Sequence, residues 1–222
     1  MEKIIFLGYW IVLVSLLCIY VINRCIVRKI SVKIEKKSDR ISYDELEKHC
    51  VQYLKKNKID KVRLEFSRNY CFDSKNNSLK IAKKQEYTQY DIFICYHEMG
   101  HIIDFNNRYN RMYKLIAKVK TVFYILWIPV LCISFGMIFG KPQTRSSVFV
   151  LNLLEVSAGL LIILTNGFIE YNASKHAIDN FQFFNNEEKL ELSKVAKLSA
   201  WEQMVYWAIA MLPLFFILYL VA

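Results

Sequence analysis

The chain has 222 residues, 55% apolar and 15% aromatic, yet 23% are charged and the formal net charge is +10. Its apolar and charged residues fall into separate blocks, a pattern that excludes an ordinary soluble domain. Six cysteines with no CxxC pair exclude a disulfide framework or a cysteine zinc cluster, and read as free thiols of a reducing compartment.

In chain order, the apolar runs are Ile4–Ile22, Val122–Phe139, Val148–Ile169 and about Trp201–Val221. Each approaches the roughly 20 residues that a helix needs to cross a bilayer. The first run lacks an A-x-A-like exit and is followed by basic residues, so it reads as a retained anchor, not a cleaved signal. The expected organisation is an anchor at 1–22, a cytosolic domain at 23–120, spans at 121–140 and 148–169, a cytosolic segment at 170–200 and a last span at 201–222. Residues 142–146 would make a short external turn.

Charge sets the expected orientation. Residues 23–120 hold 23 of the 30 basic and 12 of the 20 acidic residues, a net +11 in that block. Lys175, Lys189, Lys194 and Lys197 add to 170–200. Cytoplasmic loops carry such an excess, so both segments belong in the cytosol and both termini outside, in the plasma membrane. The basic excess suits a face that meets anionic lipid of the bilayer, and no nucleic-acid partner is expected.

Within 23–120, Ser42-x-x-Glu45 predicts a capping box that opens a helix with Leu46, Cys50, Val51 and Leu54 on one side. Val62–Phe66 and Ser78–Ala82 alternate like strands, with turn residues between them, and predict a hairpin. From about Tyr87 a helix should run to Lys120 and feed the second span. Asn185–Glu188 is a polar break between the last two spans.

The chemistry sits at Tyr96-His-Glu-Met-Gly-His101. His97 and His101, four apart, project from one helix face and can share a metal. Glu98 is placed to act as general base. A catalytic zinc takes three protein ligands, so one more Asp, Glu or His is required. Glu170 is the candidate: it closes the third apolar run on the same predicted side of the membrane. Ser174, one turn later, is placed to orient an imidazole. His176 is a rival ligand on another face, and His176, Asn172 and Tyr171 are candidates for stabilising the transition state. Asp104 reads as an orienter or a solvated acid, and Cys95 as packing. Glu155 is an ionisable group inside a span, which marks a functional candidate.

With His97-Glu-Met-Gly-His101 and Glu170-Tyr-Asn-Ala-Ser174 placed, the chain resembles the YugP-type family of membrane zinc metallopeptidases, from about residue 42 to the end. Cys95 and Tyr96 stand where that family has small residues, and Ser74 where it has proline. The resemblance implies one Zn²⁺ on His97, His101 and Glu170, with Glu98 catalytic.

The expected protein is therefore a mainly α membrane protein of about four transmembrane helices, with a small α+β zincin-like cytosolic domain. Its expected activity is gluzincin-like hydrolysis of peptide or membrane-protein substrates, and Ser78–Ala82 would pair with substrate backbone if it is a sheet edge. The alternatives are an inactive membrane scaffold with a structural or vestigial zinc site, and a zinc hydrolase of non-peptide bonds. The presence of Glu98 argues against the scaffold, because a structural site needs no general base.

Overall fold

A computed structural model describes residues 2–221 apart from 60, 107–109, 139–144 and 181–184. Most of the predicted turn at 142–146 lies outside the described residues. The chain is mostly helical and divides into two compact units, one of Met1–Arg24, Met112–Gly167 and Trp201–Ala222, the other of Cys25–Arg111 and Phe168–Ala200.

The first unit is built from long helices. α1 runs Glu2–Lys37, α4 Asn110–Ile138, α5 Arg145–Asn180 and α6 Asn186–Val221. Phe123, Val130, Val156, Ile162, Trp207, Met211 and Leu214 form this unit's core. Outward-facing positions are also apolar: Leu7, Ile125, Leu154 and Leu164 are each about 60% or more exposed. Among the described residues, three helices are long and apolar enough to cross a membrane, fewer than the expected four: Leu7–Lys37, Lys114–Ile133 and Phe149–Asn180. The end of the fourth apolar run falls at 217–222, whose side chains lie outside the described residues. The first helix also continues past Ile22 to Lys37 without a break.

In the second unit, β1 (Arg40–Ile41) leads to α2 (Tyr43–Lys56). Ser42 Oγ accepts from the Glu45 N–H at 3.2 Å and a Glu45 carboxylate oxygen accepts from the Ser42 N–H at 2.8 Å, so the capping box forms. Leu46, Cys50, Tyr53 and Leu54 are its buried stripe.

Then come β2 (Arg63–Ser67), β3 (Cys71–Asp73), β4 (Ser78–Ala82), β5 (Tyr87–Thr88) and α3 (Gln89–Asn106). The sheet order is β2-β4-β3, with β2 parallel and β3 antiparallel to β4. Two expectations fail here. The hairpin joins β3 to β4, because Asp73 at its tip accepts from the Lys75 and Asn76 N–H groups and closes the turn. And β4 is the central strand, paired on both sides, so it is no edge.

Tyr87–Thr88 is strand, paired with β1, and the motif helix starts only at Gln89. It is described as far as Asn106, whose side-chain amide donates to the Ile102 carbonyl at 2.9 Å. The expected run on to Lys120 passes through 107–109, which lie outside the described residues, and α4 is described from Asn110. Before α6, Asn185 and Glu188 exchange backbone-to-side-chain hydrogen bonds of 3.0 and 2.9 Å, so the polar break is a second capping box.

Candidate metal centre

The start of α3 is pinned before the motif begins. Asp91 is fully buried, and one carboxylate oxygen accepts from the Thr88 N–H at 2.8 Å and the Thr88 hydroxyl at 3.1 Å. The other accepts from Tyr70 Oη and Lys84 Nζ, each at 2.7 Å. Thr88-x-x-Asp91 is itself a capping-box pattern, a signal present in the sequence and not used there. Burial, joined by the hydrogen bond to Asp91, pushes the Tyr70 hydroxyl well above its ordinary range.

One face of α3 carries His97 and His101, their rings edge-to-face with centroids 4.9 Å apart. Glu170 on α5 meets both: its Oε2 lies 3.4 Å from His97 Nε2 and 3.8 Å from His101 Nε2. One ligand atom from each of the three residues lies within 4.8 Å of the others. Tetrahedral zinc with bonds of about 2.0–2.1 Å needs ligand atoms roughly 3.4 Å apart. The two imidazoles and one carboxylate therefore fit one zinc ion with small adjustments.

What lets α5 come close is Gly100. A Cβ there would stand 2.8 Å from both the Cα and the carbonyl oxygen of Ala173, so the two helices touch backbone to backbone. Ser174 is buried beside this contact, and its Oγ lies 3.0 Å from His97 Nδ1. Ligation through Nε2 requires the proton on Nδ1, and Ser174 Oγ is placed to accept it.

The charge balance among these side chains is internal. Burial opposes charging of His97, but the hydrogen bond and charge of Glu170, helped by Glu98, override it and hold the imidazole above its ordinary value. Burial pushes the Glu98 carboxyl up, against the pull of His97 and of a backbone hydrogen bond. That bond is the Phe72 N–H of β3 donating to Glu98 Oε2 at 2.9 Å. It brings the outer edge of β3 against the motif, a non-local contact with no sequence signal.

The remaining candidates go elsewhere. His176 Nε2 faces Asp104 Oδ1 at 3.5 Å, and the His176 carbonyl accepts from Tyr53 Oη at 3.4 Å. His176 lies outside the His97–His101–Glu170 group, and the buried Asp104 faces it. Asn172 is half-buried and sits about 200° around α5 from Glu170, a consequence of 3.6 residues per turn. Tyr171 is exposed. Cys95 is fully buried in the core with Cys50 and Met99, as packing requires.

The family described as "Putative neutral zinc metallopeptidase" matches residues 9–222. No curated protein and no solved structure matches this chain.

Proposed function

This chain belongs to that zinc metallopeptidase family, and we propose on that footing that it hydrolyses peptide bonds at a site formed by His97, His101, Glu170 and Glu98. The observation that carries the reading is the convergence of Glu170 with the two motif histidines, with Glu98 on the next helical position. Zinc held there supplies a Lewis acid that polarises the scissile carbonyl and the attacking water. Glu98 takes a proton from that water and delivers it to the leaving amine nitrogen. Ser174 holds His97 in the ligating tautomer. His176, occupied by Asp104, is assigned no part in the reaction.

Substrate backbone is proposed to align along β3, the outer strand beside Glu98, and not along β4. The charge distribution supports a site on the cytosolic side of the membrane. A reporter fused after Ala222 tests that topology: an extracytosolic signal fits four crossings, and a cytosolic one fits three.

The test of the activity is cleavage of casein by zinc-loaded, detergent-purified protein, compared with Glu98→Gln. The variant should keep its zinc and lose about 10²-fold or more of the activity, the contribution of a positioned general base. Equal cleavage by both forms would remove Glu98 from the mechanism. Cleavage by neither form would favour the scaffold.

A further inference from the structure

A cavity of about 150 Å³ opens beside the metal cluster, with His97, Glu170 and Ser174 in its wall. Away from those three residues the wall is largely apolar. Tyr90, Phe93 and Ile94 of α3 line it, with Val195 and Ala196 of α6, and Ser199 of α6 adds a hydroxyl. Tyr90 and Ile94 precede His97 by seven and three residues, so the cavity continues the ligand face toward the helix N-terminus. Tyr90 Oη donates to Ser31 Oγ at 2.8 Å, so its hydroxyl is already engaged. Phe93, Val195 and Ala196 are each less than 10% exposed and make a fixed wall.

We propose that this cavity is the specificity pocket of the site and holds an apolar side chain of leucine or phenylalanine size next to the scissile bond. The proposal rests on the peptidase reading above. Three observations carry it. The cavity shares residues with the ligand cluster, so a group in it lies within one residue of a carbonyl at the metal. A cavity of about 150 Å³ takes a benzene-sized group, which admits leucine or phenylalanine on its Phe93–Ile94–Val195 side and not tryptophan. A charged side chain would lose its water against carbon walls, and an acidic one would also meet Glu170. The size limit is set by Ala196, where any larger residue subtracts volume, and by Ile94, where a smaller one adds it.

The probes are N-hydroxyamides carrying a methyl, isobutyl, benzyl or indolylmethyl group, and binding to zinc-loaded protein is read by calorimetry. The isobutyl and benzyl compounds should bind about 10- to 100-fold tighter than the methyl compound, the gain expected from burying three or more carbons. The indolylmethyl compound should fall back towards the methyl one. Ala196→Phe should bring the four compounds within about threefold of each other, the pocket being filled. Ile94→Ala, which changes volume the other way, should admit the indolylmethyl group. The zinc content of each variant reads whether it has folded. A wild-type ranking flat to within about threefold overturns the pocket, and so does a wild-type ranking that survives both variants. Casein cleavage separates the two ideas. The ranking without cleavage keeps the pocket and sinks the peptidase; cleavage without the ranking does the reverse.

Discussion

The two units of this chain solve burial differently. In the first, apolar side chains point both inward and outward, and Asn23, Trp127 and Glu155 each bury a polar atom with no hydrogen-bond partner. In the second, most buried polar groups are engaged, Asp91 by Tyr70, Lys84 and Thr88, Ser78 by Glu65 and Ser174 by His97, although Asn77 Oδ1 is buried with no partner among the described residues. The first unit is specified by how much apolar surface its helices carry and over what length. The second is specified by particular pairs. Single polar changes should therefore be tolerated in one and costly in the other.

The largest contrast is between two buried acids. Asp91→Ala strips four hydrogen bonds, leaving the Thr88 and Tyr70 donors without their acceptor while Lys84 keeps Glu35 at 3.5 Å, and should cost about 3 kcal/mol or more. Glu155→Gln keeps the shape of a side chain with an unpartnered oxygen and should cost less than about 1 kcal/mol. Thermal melting in detergent compares them. Equal losses would erase the distinction between the units.

Two tight glycines, Gly100 and Gly159, repeat the contrast one step down among the described residues. Gly100→Ala drives a methyl into the Ala173 backbone, which cannot rotate away, and should cost about 1–3 kcal/mol and weaken zinc binding. Gly159→Ala meets only the end of the Met211 side chain, which can turn aside. With the helix propensity gained, it should stay within about 1 kcal/mol of wild type.

Ser174→Ala should lower zinc affinity about tenfold, measured by chelator competition, because His97 loses the partner that holds its tautomer. The melting temperature should barely move. A large fall in melting with unchanged affinity would make Ser174 a packing residue.

The smallest effect is a pH dependence. Lys80, 2.8 Å away, and the Lys75 and Asn76 N–H groups hold the Asp73 carboxyl down at about 2. The unfolded chain binds this proton at about 3.9. The contribution is therefore present above that value and is lost as pH falls towards the folded one. Wild type and Asp73→Asn should converge in stability over that window and differ by a constant amount above it. A gap that does not narrow on acidification would disprove the linkage.

What was legible in the sequence follows from the range of the physics. The pairing of His97 with His101 needs only the turn of one helix. The choice of Glu170 needs only its place at the end of an apolar run. The Ser42 cap is equally local. The sheet register was not legible, because β2 and β4 pair in parallel across β3 and nothing local says so. The Phe72 N–H on Glu98 and the cavity at Ala196 depend on segments that meet only after folding. The last apolar run carries enough hydrophobic residues to suggest a crossing, and its end at 217–222 lies outside the described residues.

The most direct test of the central claim is the zinc content of detergent-purified wild type beside Glu170→Ala and His97→Ala. About one zinc per wild-type chain, lost from both variants while their melting curves stay cooperative, is the predicted result. A Glu170→Ala protein that holds zinc as tightly as wild type would contradict the three-ligand site.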